Sequence, residues 1–88
     1  MMLGNDVPEN NSKIIVYGAV WCPDVRRARA YLDRQRVDYI YRDIDRDDGA
    51  MDELLELRGK AWVVPTLVLP DGTILDNPSR RDLAQYFG

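Results

Sequence analysis

The 88-residue sequence has no histidine and one cysteine, Cys22. That inventory excludes an internal disulfide, a Cys/His zinc site and any catalytic pair that needs histidine as its base. Lysine is scarce beside arginine, and acidic residues outnumber the two together, leaving a net charge of -3. A chain of that sign has no global attraction for nucleic acid. No apolar run approaches the roughly 18 residues that cross a bilayer. The opening MMLGNDVPENNS lacks the basic-then-apolar order of a secretory signal. The expectation is a cytoplasmic protein without membrane or nucleic-acid partners, where a lone thiol stays reduced until something oxidises it.

What is present is 45% hydrophobic and 31% charged, the composition of one small globular domain. A chain this short buries only about 60% of the surface its unfolded form exposes, and it has no covalent staple, so a compact α/β core must hold it. Residues 1–12 carry turn-forming Asn5, Asp6, Pro8, Asn10 and Asn11 without a periodic apolar face. They read as a flexible tail ahead of a domain over residues 13–88.

Ile14-Ile15-Val16-Tyr17, bounded by Gly18, is β-branched and apolar on both faces, which suits a central strand covered on two sides. After Pro23, the residues Val25, Ala28, Tyr31, Leu32 and Gln35 recur at helical spacing, with proline in the first turn. Tyr39 to Ile44 is a second strand, so the opening order is strand, helix, strand, a parallel pair with a crossover helix. Asp47 or Asp48 caps a short second helix whose apolar positions are Met51, Leu54, Leu55 and Leu57 and whose end is Gly59. Thr66 to Leu69 and Thr73 to Leu75 flank Pro70-Asp71-Gly72, a β-hairpin signature. Ser79 with Asp82 resembles a capping box ahead of a last helix burying Leu83, Ala84 and Phe87. The order βαβαββα predicts a four-stranded mixed sheet with helices on both faces.

Cys22 comes four residues after Gly18 and immediately before Pro23, at or beside the start of the first helix. Free N–H groups and the helix dipole there favour a negative charge and raise the fraction of reactive thiolate. Asp24 in the same turn opposes that effect, and Arg26 and Arg27 favour it. A lone cysteine is otherwise most often a small buried hydrophobe.

Its neighbours add a second landmark. Trp21-Cys22-Pro23 at a strand-to-helix junction and Val64-Pro65-Thr66 before the third strand are together similar to the thioredoxin-like proteins, and resemble the glutaredoxin family. YGAVWCP (residues 17–23), Val37-Asp38-Tyr39 leading into Asp43-Ile44-Asp45, and Asp71-Gly72 through Asn77-Pro78-Ser79 fall in family order. The stretch DGTILDNPS looks like that of mycoredoxins, glutaredoxin relatives that use mycothiol in place of glutathione. The resemblance, which covers Ile14 to Phe87, implies a thioredoxin-like fold and a thiol-disulfide oxidoreductase of redox homeostasis. In it Cys22 is the nucleophile and Pro23 keeps the helix start open. Pro65 is cis, and Val64 offers its backbone edge to a peptide-like substrate. Thr66, Asp76 and Asn77 contact the small thiol, and Trp21 borders the cleft.

The chain departs from the family at two places. Dithiol members read Cys-Pro-x-Cys, whereas Cys22-Pro23-Asp24-Val25 offers no second thiol, which implies a monothiol cycle released by an outside thiol. Ala19 stands where many glutaredoxins place a lysine that meets the glycine carboxylate of glutathione. Either Arg26, Arg27 or Lys60 substitutes, or the small thiol lacks that carboxylate. The expected co-substrate is glutathione or mycothiol and the expected partners are thiol-containing proteins; no bound cofactor or metal is expected, and a monomer suffices. A non-catalytic thioredoxin-fold binding module and a single-cysteine redox sensor are the alternatives.

Five arginines between Arg26 and Arg36 suggest either a solvated helix face, with Asp33 in reach of Arg29, or a docking surface for an acidic partner or phosphate. Trp21 and Trp62 flank the two motif loops and either close over a substrate or roof the core. The run Asp43 to Gly49 lacks the glycine and terminal acid of a calcium loop, and the Cys-Gly-Phe-Ser motif of iron–sulfur monothiol glutaredoxins is absent.

Overall fold

The computed structural model describes residues 13–88, so the tail read over residues 1–12 lies outside the described residues. In chain order the elements are β1 (Ile14–Gly18), α1 (Pro23–Arg34), β2 (Tyr39–Asp43), α2 (Asp48–Arg58), β3 (Thr66–Val68), β4 (Ile74–Asp76) and α3 (Arg80–Phe87). A single 3-10 turn over Gly59–Ala61, which the sequence pattern did not indicate, follows α2. The strands form one sheet in the order β2-β1-β3-β4, with β1 parallel to β2 and antiparallel to β3. This is a thioredoxin-like fold.

Alternation along β1 sends its residues to two cores. Ile14 and Val16 pack with Ala28 and Leu32 of α1, Leu67 of β3 and Leu83 of α3. Tyr17, with half-buried Ile15, packs on the other face with Ala50 and Leu54 of α2. Thus α1 and α3 cover one face and α2 the other. Each core is small, and Leu32, Leu54, Leu67 and Leu83 are among its fully enclosed side chains.

The helix ends follow local chemistry. The Asp47 side chain caps α2 by accepting from the N–H groups of Gly49 and Ala50, and Gly59 ends the helix with φ +60°. Ser79 and Asp82 form a reciprocal capping box on α3. At the hairpin, Gly72 takes φ +93° and its N–H reaches the Leu69 carbonyl, while Asp71 accepts from the N–H of Thr73. In α2 two of the apolar assignments need correction: Ala50 and Leu54, four residues apart, are buried and Met51 packs half-buried against the same core, whereas Leu55 and Leu57 remain 41% and 37% exposed. Four apolar positions were read where one stripe on a three-turn helix holds fewer. In α3 Ala84 is likewise exposed, leaving Leu83 as the fully buried residue.

Gly18 controls the junction between β1 and α1. A Cβ placed there would stand 2.7 Å from Cγ1 of Val25 and 3.1 Å from Cε1 of Tyr41. Val25 is fully buried in the first turn of α1, so the obstacle is a packed side chain rather than a flexible tip. Gly18→Ala is therefore expected to cost about 1–3 kcal/mol through overpacking, read as a lower urea midpoint. An unchanged midpoint would show that the α1 start yields freely.

Candidate functional site

The topology gathers three segments at one edge of the sheet. β1 runs parallel to β2 and ends at Gly18; β3 runs antiparallel to β1, so its beginning lies beside the end of β1; β4 returns and ends at Asp76. Register places Tyr17 opposite Thr66 and Thr66 opposite Asp76. The loop carrying Cys22, the loop carrying Val64 and Pro65, and the segment from Asp76 to Ser79 therefore converge.

Cys22 is the N-cap of α1, in extended conformation, and no side chain caps that helix among the described residues. Its N–H donates to the Ala19 carbonyl at 3.1 Å, and its own carbonyl accepts from the N–H of Arg26 at 3.1 Å. These bonds hold the residue half in the helix. Cys22 is 8% exposed, and its thiol faces the Val64 carbonyl, with Sγ and O 4.0 Å apart. Asp24 beside it pairs with Arg27 at 2.8 Å, so one anion and one cation of the first turn offset each other. Val25, at the position where dithiol relatives carry a second cysteine, is fully buried.

The facing loop is held from below. The Val64–Pro65 peptide bond is cis. The Thr66 hydroxyl donates to the Val63 carbonyl at 2.7 Å, and the Asn77 N–H donates to the Pro65 carbonyl at 2.7 Å. Thr66 is fully buried at the start of β3, and its bond to Val63 makes its hydroxyl a support of the loop. Asn77 is exposed, with φ +45°. The Asp76 carboxylate accepts from the guanidinium of Arg58 at the end of α2.

The two loops that meet at the thiol carry exposed apolar side chains. Trp21 is 63% exposed, and Val20 and Val63 are also open to solvent. The Trp21 indole N–H donates to Asp45, which ties the cysteine loop to the β2–α2 connection. Trp62 is half-buried and packs on the core under α2. Trp62 thus roofs the core, and Trp21 stands exposed on the loop that carries Cys22. Ala19 is fully buried in that same core, which leaves no side chain at that position for an anionic ligand.

Beneath the site a polar network joins β1, β2 and α2. The Tyr17 hydroxyl donates to Glu53 at 2.9 Å, and Arg42 donates to both Glu53 oxygens, at 3.2 and 2.6 Å, and to Asp47 at 2.9 Å. On the other face, Arg29 lies 3.8 Å from the Tyr41 ring centroid and donates to the Tyr39 hydroxyl, which in turn donates to Asp33. The expected pairing of Arg29 with Asp33 thus runs through Tyr39. Asp45, Arg58 and Glu53 were not singled out as supports of the site. They meet Trp21, Asp76 and Tyr17 across 24, 18 and 36 residues, which no local pattern signals.

Burial pushes the Tyr17 phenol up to about 12, helped by its bond to Glu53 and the charge of that carboxylate, with Arg42 acting in the opposite sense. The folded state thus holds the Tyr17 proton more tightly than the unfolded chain, whose phenol titrates at 10.0. That contribution to stability is fully present below pH 10.0 and is lost as pH rises toward about 12. The difference in phenolate absorbance between wild type and Tyr17→Phe is expected to show no ionisation of Tyr17 near pH 10.0. A difference signal titrating there would contradict the network.

Residues 14–74 match the family model described as Glutaredoxin. The chain is 34% identical over 67 residues to Mycoredoxin 1 of Corynebacterium glutamicum, covering 76% of this chain and 82% of that protein. The same protein from a second strain matches to the same extent. Among solved structures, the thioredoxin-like protein BC3987 superposes with a TM-score of 0.73 at 29% identity, over 83% of this chain and 97% of that one. A single-substitution mutant of it gives 0.75 at 28% identity, over 86% and 100%.

Proposed function

The chain belongs to the glutaredoxin family and shares its redox function, and from that premise we propose that it reduces mixed disulfides between proteins and a low-molecular-weight thiol by a monothiol cycle. The observation that carries the proposal is Cys22 at the uncapped start of α1 with its sulfur facing the Val64 carbonyl. The Cys22 thiolate attacks the small-thiol sulfur of the mixed disulfide. The protein thiolate leaves and takes a proton, and a disulfide between Cys22 and the small thiol remains. A second small thiolate attacks the small-thiol sulfur of that adduct, releasing the oxidised dimer of the small thiol and restoring the Cys22 thiolate. With one cysteine in the chain, no internal thiol competes for the second step.

The other residues orient this exchange. Pro23 has no N–H to give and starts α1 in a fixed conformation. Val64 and Pro65 present the backbone edge to an extended substrate, and Thr66 holds their loop. Trp21 covers one side of the cleft. Asp76 and Asn77 contact the small thiol, with Arg58 setting the position of the Asp76 carboxylate. The likeness to Mycoredoxin 1 and the burial of Ala19 favour mycothiol over glutathione. A reducing cytoplasm is the compartment in which this cycle runs, and the site needs one copy of the chain.

No helix among the described residues is long and apolar enough to cross a membrane. Cys22→Ser is expected to drop mixed-disulfide reduction to the uncatalysed rate while leaving the folded circular-dichroism spectrum unchanged. Full activity in the folded variant would remove Cys22 from the chemistry and leave a binding module as the better reading. Asp76→Asn is expected to raise KM for the small thiol several-fold with kcat nearly kept, because it removes a binding contact rather than a reacting group. An equal loss in kcat would contradict that assignment.

A further inference from the structure

A cavity of about 270 Å³ lies between α1 and α3, on the sheet face opposite α2. Arg27, Tyr31 and Arg34 of α1 line one wall, and Asn77, Arg80 and Leu83 line the other. Asp24 also lines it, two residues from Cys22. Residues 24, 27, 31 and 34 recur at intervals of three and four, so they form one stripe of α1 about 15 Å long. The cavity therefore runs along α1 from the end of the helix that carries Cys22.

Its charge is one-sided. Asp24 and Arg27 offset each other in their ion pair. Arg34 and Arg80 are exposed and make no ion pair among the described residues. Two uncompensated guanidinium groups thus face one groove in a chain whose net charge is -3. Each presents the planar fork that receives a carboxylate on two N–H groups.

We infer that this groove docks an acidic segment of the disulfide-bearing protein, with its carboxylates on Arg34 and Arg80 while its reacting sulfur stands at Cys22. The inference rests on the oxidoreductase reading and deepens it by naming the substrate class. Twelve residues separate Cys22 from Arg34, about 18 Å along the helix axis. An extended chain at about 3.3 Å per residue covers that distance in five or six residues, so a polypeptide spans it and a small ion does not. Asn77 lines the groove, and its N–H bonds the Pro65 carbonyl at 2.7 Å in the loop that faces Cys22, so groove and thiol site share one border. An acidic residue about five positions from the substrate cysteine is the feature that Arg34 reads.

The test measures fluorescence anisotropy of a labelled peptide with serine in place of the reacting cysteine and glutamates about five positions to either side. A second peptide has glutamine at those positions. Wild type is expected to bind the glutamate peptide about tenfold more tightly at low salt, with the preference fading as ionic strength rises. The Arg34→Gln/Arg80→Gln double variant is expected to bind both peptides alike. Equal affinity in wild type, or a preference that survives in the double variant, overturns the proposal. Saturable binding of inorganic phosphate with no peptide preference overturns it as well. Because serine forms no disulfide, the result does not depend on Cys22 turnover, and a failure of docking is distinct from a failure of the exchange chemistry.

Discussion

A side chain at Gly18 would meet the buried Val25 at 2.7 Å, and the position of Cys22 depends on that closeness. β1 ends where α1 begins to cross over it, and the missing Cβ lets the first helical turn settle directly on the strand end. Three residues then suffice to turn the chain, closed by the bond from the Cys22 N–H to Ala19. Cys22 emerges at the helix N-cap rather than within a longer loop. Parallel pairing of β1 with β2 and antiparallel pairing with β3 hold that strand end from both sides. The Val64 carbonyl opposite the thiol is thereby a consequence of sheet register and of the loop-holding bonds from Thr66 and Asn77.

Two small cores support this junction, and each keeps a polar tie near the surface. The network of Tyr17, Glu53, Arg42 and Asp47 links β1, β2 and the start of α2 through half-buried charges that complete one another's hydrogen bonds. On the other face, Arg29 stacked on Tyr41 links α1 to β2. Neither network reaches the thiol. Their role is to keep the strand and helix that carry it in one arrangement, which matters in a domain this small.

The fold was legible because its signals are local. The β-branched run at Ile14 to Tyr17, the Asp-Gly hairpin, and the Ser79 and Asp82 cap each state their structure within a few residues. Their resemblance to a family marks Cys22-Pro23 and Val64-Pro65 as the candidate site, and the sheet order brings the two loops together. The side-chain assignments went less far. Leucine identity alone marks Leu55 and Leu57 as core, but the one sheet-facing stripe of a short helix holds Ala50, Met51 and Leu54 and leaves them outside. Asp45, Glu53 and Arg58 act on residues far away in the chain, and single charged residues in a chain with 31% charge carry no mark of that. The arginines of α1 divide by helical phase: Arg29 goes to the sheet, and Arg27 and Arg34 go to the groove beside α3.

The central claim is that Cys22 takes one small thiol into a disulfide and gives it up to a second. Mass spectrometry of the protein after incubation with oxidised mycothiol, and in parallel with oxidised glutathione, tests it most directly. The account predicts a single adduct at Cys22, formed more readily with mycothiol and removed by added reduced mycothiol. An unmodified protein with both disulfides, or an adduct that no small thiol removes, would contradict it.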